Sequence, residues 1–181
     1  MAFLHKTRPS LPRLISDTCR AALFSVIVLA PGGLAASPIT QTLTDAQLRG
    51  SATFRFLGMP IYEAKLYTPQ GSALNWTKDF ALQLTYRKSL KQKALVESTL
   101  DEMARQGNPA PTQARLQKCF QAVSKGDSYI AISEGPNKVG FWRNGQKTCT
   151  LSYPGAKSAF MSIFLGDNTR SGSFTRQLKG G

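Results

Sequence analysis

Gly50-Ser51-Ala52-Thr53-Phe54-Arg55-Phe56-Leu57, then Gly58-Met59-Pro60, then Ile61-Tyr62-Glu63-Ala64-Lys65-Leu66-Tyr67, has the pattern of two strands joined by a turn. Ala52, Phe54 and Phe56 alternate with Ser51, Thr53 and Arg55, the period of a strand with one buried face. Gly58-Met59-Pro60 reads as the turn, and Ile61 to Tyr67 as the returning strand of a hairpin. Downstream, Phe80, Leu82, Leu84 and Tyr86 repeat the alternation and predict a third strand.

Two helices are predicted next. Ser89 with Gln92 three residues on has the capping-box pattern, Val96, Leu100 and Met103 keep helical spacing, and Gly107-Asn108-Pro109 stops the helix. Leu116, Cys119, Phe120 and Val123 stand at i, i+3, i+4 and i+7 and predict a second helix over 112–125, ended by Gly126. Strands return at 129–133, 139–143 and 146–152, the last two joined by an Asn144-Gly145 hairpin turn. Ala156 to Leu165 reads as a third helix. Strands, a helix pair, more strands and a helix make an α+β domain: a large, mainly antiparallel sheet carrying a helical layer on one face.

Composition narrows what such a domain does. The chain has 181 residues, 41% of them apolar, with 23 Lys and Arg against 10 Asp and Glu. That is enough apolar chain for one core. The first 36 residues read as an export leader: Lys6, Arg8, Arg13 and Arg20 are basic, Ala21 to Ala30 is an apolar run, and Pro31-Gly32-Gly33-Leu34-Ala35-Ala36 offers a cleavage region. The expectation is a domain of residues 37–181 in the periplasm or outside the cell. His5 is the only histidine, so the processed chain is expected to have none, which argues against His-based catalysis and His-ligated metals. Loss of four leader cations and Asp17 leaves 19 basic against 9 acidic residues, a net charge of +10. In the envelope the anionic partners are carboxylate ligands and membrane surfaces. No aromatic residues interleave Arg87, Lys88, Lys91 and Lys93, so nucleic acid is not expected.

Cys119 and Cys149 remain after processing. Paired, they close a loop of about 30 residues worth about 3 to 4 kcal/mol in the chain-entropy account; unpaired, they are two small buried hydrophobes. Gly140 to Thr148 is a poor phosphate loop, because a strand follows it where a helix N-terminus is needed. Asp167 to Leu178 is a poor calcium loop, with Leu178 where a bidentate Glu is required. No metal or cofactor is expected.

The two hairpin strands resemble those that open the bacterial chalcone isomerase-like family. The resemblance continues through Leu82 to Tyr86, Glu102 to Gly107, Gly126-Asp127, Asn144-Gly145 and Phe160 to Gly166, with Phe164 where Trp is expected. It implies an open-faced β-sandwich sheltering an apolar ligand cleft. In chalcone isomerases an Arg and a Thr on this hairpin serve catalysis; the Thr position falls here on Tyr62 and the Arg position on or beside Gly50, with Arg49 nearest. The broken pattern implies a non-catalytic protein. The fatty-acid-binding branch of the fold holds a carboxylate with an Arg and a Tyr, which makes Arg49 and Tyr62 the candidate pair and Arg55 the alternative arginine. Binding of a small hydrophobic carboxylate or lipid-like molecule is the leading expectation. An isomerase or lyase with Arg49 or Arg55 and Tyr62 at its centre, and an envelope scaffold contacting anionic membrane, are the alternatives.

Overall fold

Six strands pair in strict sequence order, each antiparallel to the next, so that the sheet is an uncrossed meander. The computed structural model describes residues 36–181, and the leader expected over 1–36 falls, but for Ala36, outside them. The strands are β1 (Ala46–Phe56), β2 (Met59–Pro69), β3 (Ala81–Tyr86), β4 (Ser128–Ser133), β5 (Lys138–Arg143) and β6 (Gln146–Ser152). The helices are α1 (Pro38–Thr42), α2 (Gln92–Arg105), α3 (Gln113–Cys119), α4 (Ala156–Leu165) and α5 (Gly172–Leu178). The α+β class, with a helical layer over a large antiparallel sheet, is as the sequence predicts.

The period-two pattern assigns the faces. Ala64 and Leu66 of β2, Leu82, Leu84 and Tyr86 of β3, Tyr129 and Ala131 of β4, and Val139 and Phe141 of β5 join one core with Val96 and Met103 of α2 and Phe160 and Leu165 of α4. The opposite face has a smaller cover that the sequence did not announce. Ile39 and Leu43, in and just after the five-residue α1, pack on Ala81, Ile130, Ile132 and Trp142.

The hairpin departs from a plain ladder twice. Leu48 pairs with Tyr67 and Gly50 with Leu66, leaving Arg49 as the extra residue of a β-bulge. Phe54 pairs with Tyr62 and Arg55 with Pro60, so Ile61 is extra on the returning strand. The turn is Leu57-Gly58, one residue earlier than expected; both have positive φ, 49° and 78°, as a two-residue type I′ connection requires.

Two helix expectations need correction. Lys91, not Ser89, is the N-cap of α2, and no side chain caps it. The Gln92 amide instead donates to the Gln117 and Phe120 carbonyls, at 2.8 and 2.6 Å. The second helix ends at Cys119, not near Lys125, because Phe120 is extended and Val123 forms a β-bridge with Leu90. Cys119, at that helix end, is disulfide-bonded to Cys149 of β6, with Cα atoms 5.0 Å apart.

Candidate functional site

Between the sheet and the helices lies a cavity of about 420 Å³, within the range of small-molecule sites. Its walls are apolar: Leu82, Leu84, Phe141 and Phe160 form the deep end, and Phe54, Phe56 and Ile61 of the hairpin reach toward its rim. The bulge at Ile61 matters here, because it brings both Ile61 and Tyr62 to the cavity side. Exposed members of the lining, Phe56, Ala94, Ser98 and Arg170, mark where the cavity meets solvent.

Tyr62 is fixed by aromatic packing. Its ring stacks on Phe54 at 5.2 Å between centroids and meets Phe174, Tyr86 and Phe164 edge-on at 6.0, 6.1 and 6.2 Å. Phe164, standing where Trp was expected, is thus part of the Tyr62 cage. Of the five tyrosines, Tyr67 donates to Gln83, Tyr129 accepts from the Gln121 amide and Tyr153 donates to the Pro109 carbonyl. The hydroxyls of Tyr62 and Tyr86, both on the cavity lining, have no hydrogen-bond partner among the described residues. Burial pushes both phenols well above their ordinary pKa, so each stays a neutral donor and acceptor.

The charged end of the cavity comes from elsewhere. Glu102, on α2, is 1% exposed and accepts hydrogen bonds from Arg105, Gln106 and Arg170. Burial alone would raise its pKa, but those three donors and the nearby Arg170 charge hold it down at about 2. Arg170 lies in the segment between α4 and α5; its Nε donates to Glu102 and its Nη2 to the Ser98 carbonyl at 3.4 Å. Its Nη1 has no partner among the described residues. Two guanidinium groups around one carboxylate leave this cluster with a net charge of +1.

The structure separates the residues singled out from sequence. Tyr62 lines the cavity, whereas Arg49 and Arg55 do not. Arg49 donates from Nε to the Lys179 carbonyl at 2.9 Å, tying the edge strand to the C-terminal segment. Arg55 donates from Nη1 to the Gly58 carbonyl at 3.1 Å, arching over the hairpin turn, and lines a separate polar groove with Glu63 and Gln177. Gly50 shows why no arginine enters from this strand. A Cβ there would lie 2.6 Å from the Leu178 carbonyl oxygen and 2.8 Å from that of Gln177, because α5 packs directly on β1. The arginine beside the cavity is Arg170, which the sequence reading passed over because it sits in a segment without apolar periodicity. Among the described residues no cluster of three His, Cys, Asp or Glu side chains gathers as metal ligands.

Comparison with known proteins places this architecture. No sequence-family profile matches the chain, and no curated protein matches it either. Among solved structures, the crystal structure of the Arabidopsis thaliana fatty-acid binding protein AtFAP1 superposes with a TM-score of 0.58 at 10% identity, covering 76% of this chain and 88% of that one. At that identity the likeness defines the fold: the chain has the chalcone isomerase-like architecture, an open antiparallel sheet backed by helices.

Proposed function

We propose that this protein is an exported, non-catalytic carrier of a small hydrophobic carboxylate, with the apolar body of the ligand in the cavity and its carboxylate beside Arg170, Tyr62 and Tyr86. The observation that carries the reading is the contrast inside the cavity. Its walls are apolar, and the polar groups lacking protein partners are the two tyrosine hydroxyls and the outer nitrogen of Arg170. Apolar walls supply affinity through desolvation, and a few convergent polar groups fix orientation. Arginine suits the head-group task because its planar donors match the two oxygens of a carboxylate. The net positive cluster around Glu102 compensates one ligand charge without uncovering the glutamate. AtFAP1, a fatty-acid binding protein by name, supports the ligand class through its shared fold. The leader-like sequence over residues 1–36 supports export, and so does the Cys119–Cys149 disulfide, which an oxidising compartment preserves.

Native mass spectrometry of the protein recovered without detergent from an oxidising compartment tests the reading. A co-purifying acyl mass that leaves on denaturation is the expected result. A bare protein that also fails to take up a labelled long-chain fatty acid overturns it.

A further inference from the structure

The β1–β2 turn exposes apolar residues that the core does not use. Phe56, Leu57 and Met59 are 56%, 83% and 51% exposed, side by side at one end of the sheet. Leu57 is in the left-handed region with φ of 49°, where Gly, Asn or Asp is the low-cost residue. Local physics therefore disfavours leucine at this position twice, through its backbone and through its exposure. Cations lie at the turn and near it. Arg55 bonds across the turn to Gly58, and Arg87, whose side chain pairs with Glu63, donates its amide to the Ile61 carbonyl, which brings the segment bearing Lys88 and Lys91 to the turn end of β2. Arg55, Lys88 and Lys91 have no acidic partner among the described residues. Phe56 belongs both to this tip and to the cavity rim.

We propose that the Phe56–Met59 tip is a membrane-docking wedge that enters a bilayer with anionic headgroups, so that the cavity mouth faces the lipid. An apolar point with an unpaired arginine at its turn and a lysine-bearing segment nearby matches the boundary between acyl chains and anionic headgroups, and charge complementarity selects that surface over a neutral one. No described helix is long and apolar enough to cross a membrane, and the proposed attachment is peripheral, through the tip alone. The ligand-transfer role of the wedge rests on the carrier reading above; docking itself does not.

The experiment uses protein recovered from expression of the whole chain, with wild type and variants in the same processed form. It measures co-sedimentation with vesicles of phosphatidylglycerol and phosphatidylcholine, and with phosphatidylcholine alone. Leu57→Asn/Met59→Ser keeps a turn-compatible residue at 57 and replaces no cavity-lining residue, so folding and uptake of a monomeric labelled fatty acid in solution should match wild type. The expected result is vesicle binding that needs phosphatidylglycerol, weakens with salt and falls roughly tenfold or more in the double variant. In Leu57→Trp, emission should shift blue on vesicles and be quenched by bromine-labelled acyl chains. Equal sedimentation of wild type and double variant, or a tip tryptophan that stays in water, overturns the proposal. A protein that takes up no fatty acid but still docks through the tip sinks the carrier reading alone.

Discussion

The Glu102 carboxylate, buried on α2, accepts a hydrogen bond from the Arg170 guanidinium 68 residues away, and this pair ties the segment before α5 to the helical layer beside the cavity. Arg105 reinforces the tie by also donating to the Asn168 carbonyl. Breaking a buried pair leaves an uncompensated charge, so the arrangement holds the segment in place more than it adds net stability.

Acid should loosen this tie. Glu102 is held at about 2, against an ordinary value of 4.5. Its contribution is therefore complete above about pH 4.5 and is lost as pH falls toward 2. Urea midpoints should fall across that interval, and Glu102→Gln should flatten the fall while lowering stability at neutral pH. The fall should not vanish, because Asp127 is also held at about 2, by hydrogen bonds from the Ser124 amide, Asn144 and Arg143. An unchanged acid limb in Glu102→Gln would show that the carboxylate is not under this restraint.

The two arginine assignments make opposite predictions. Arg170→Ala should weaken binding of a labelled fatty acid by about tenfold or more, the worth of a charge-assisted bond. Arg49→Ala should leave that affinity unchanged and lower stability by about 1 kcal/mol, through loss of its bond to the Lys179 carbonyl. Isothermal titration beside urea denaturation separates the two effects. The reverse pattern would return the site to the hairpin arginine.

These differences mark where sequence was informative. Alternation pointed to β1 and β3, whereas β4 and β5 are buried on both faces and carry little alternation, and Tyr62, which lines the cavity, was singled out because it lies in the hairpin that carries the resemblance. The end of α3 was misread because Phe120 and Val123 keep helical spacing yet are buried from an extended segment, whose Val123 pairs with Leu90. Nothing local signals that pairing. Helix α5 was missed because seven residues with Phe174 and Leu178 buried offer too little periodicity to register. Arg170 was missed for a related reason: only the fold brings it to Glu102, across a separation no spacing rule spans.

Reduction of the disulfide should destabilise the domain. Cys119 ends α3 and Cys149 lies in β6, 30 residues on. Opening a loop of that length releases unfolded-chain entropy worth about 3 to 4 kcal/mol. Cys119→Ser/Cys149→Ser should lower Tm by roughly 10 °C. Hydrogen exchange should show the largest loss of protection in α3 and β6. An identical Tm with and without reductant would mean that the bond adds no constraint beyond native packing.

Placing an arginine at the hairpin position to which the chalcone isomerase resemblance assigns one should not create a carboxylate site there. The obstacle at Gly50 is backbone, with the Leu178 and Gln177 carbonyl oxygens and the Gly180 amide all within 2.8 Å of where a Cβ would stand. Even Gly50→Ala must push α5 away from β1, at a cost of about 1 to 3 kcal/mol. Displacing α5 also moves Phe174, which packs edge-on against both Phe54 and Tyr62. Gly50→Ala should therefore raise exchange across residues 172–178 and weaken fatty-acid binding, although no atom of residue 50 lines the cavity. Gly50→Arg should do the same more severely. If Gly50→Arg instead folded as well as wild type and bound the labelled acid more tightly, the close packing of α5 on β1 would not be what excludes a hairpin arginine.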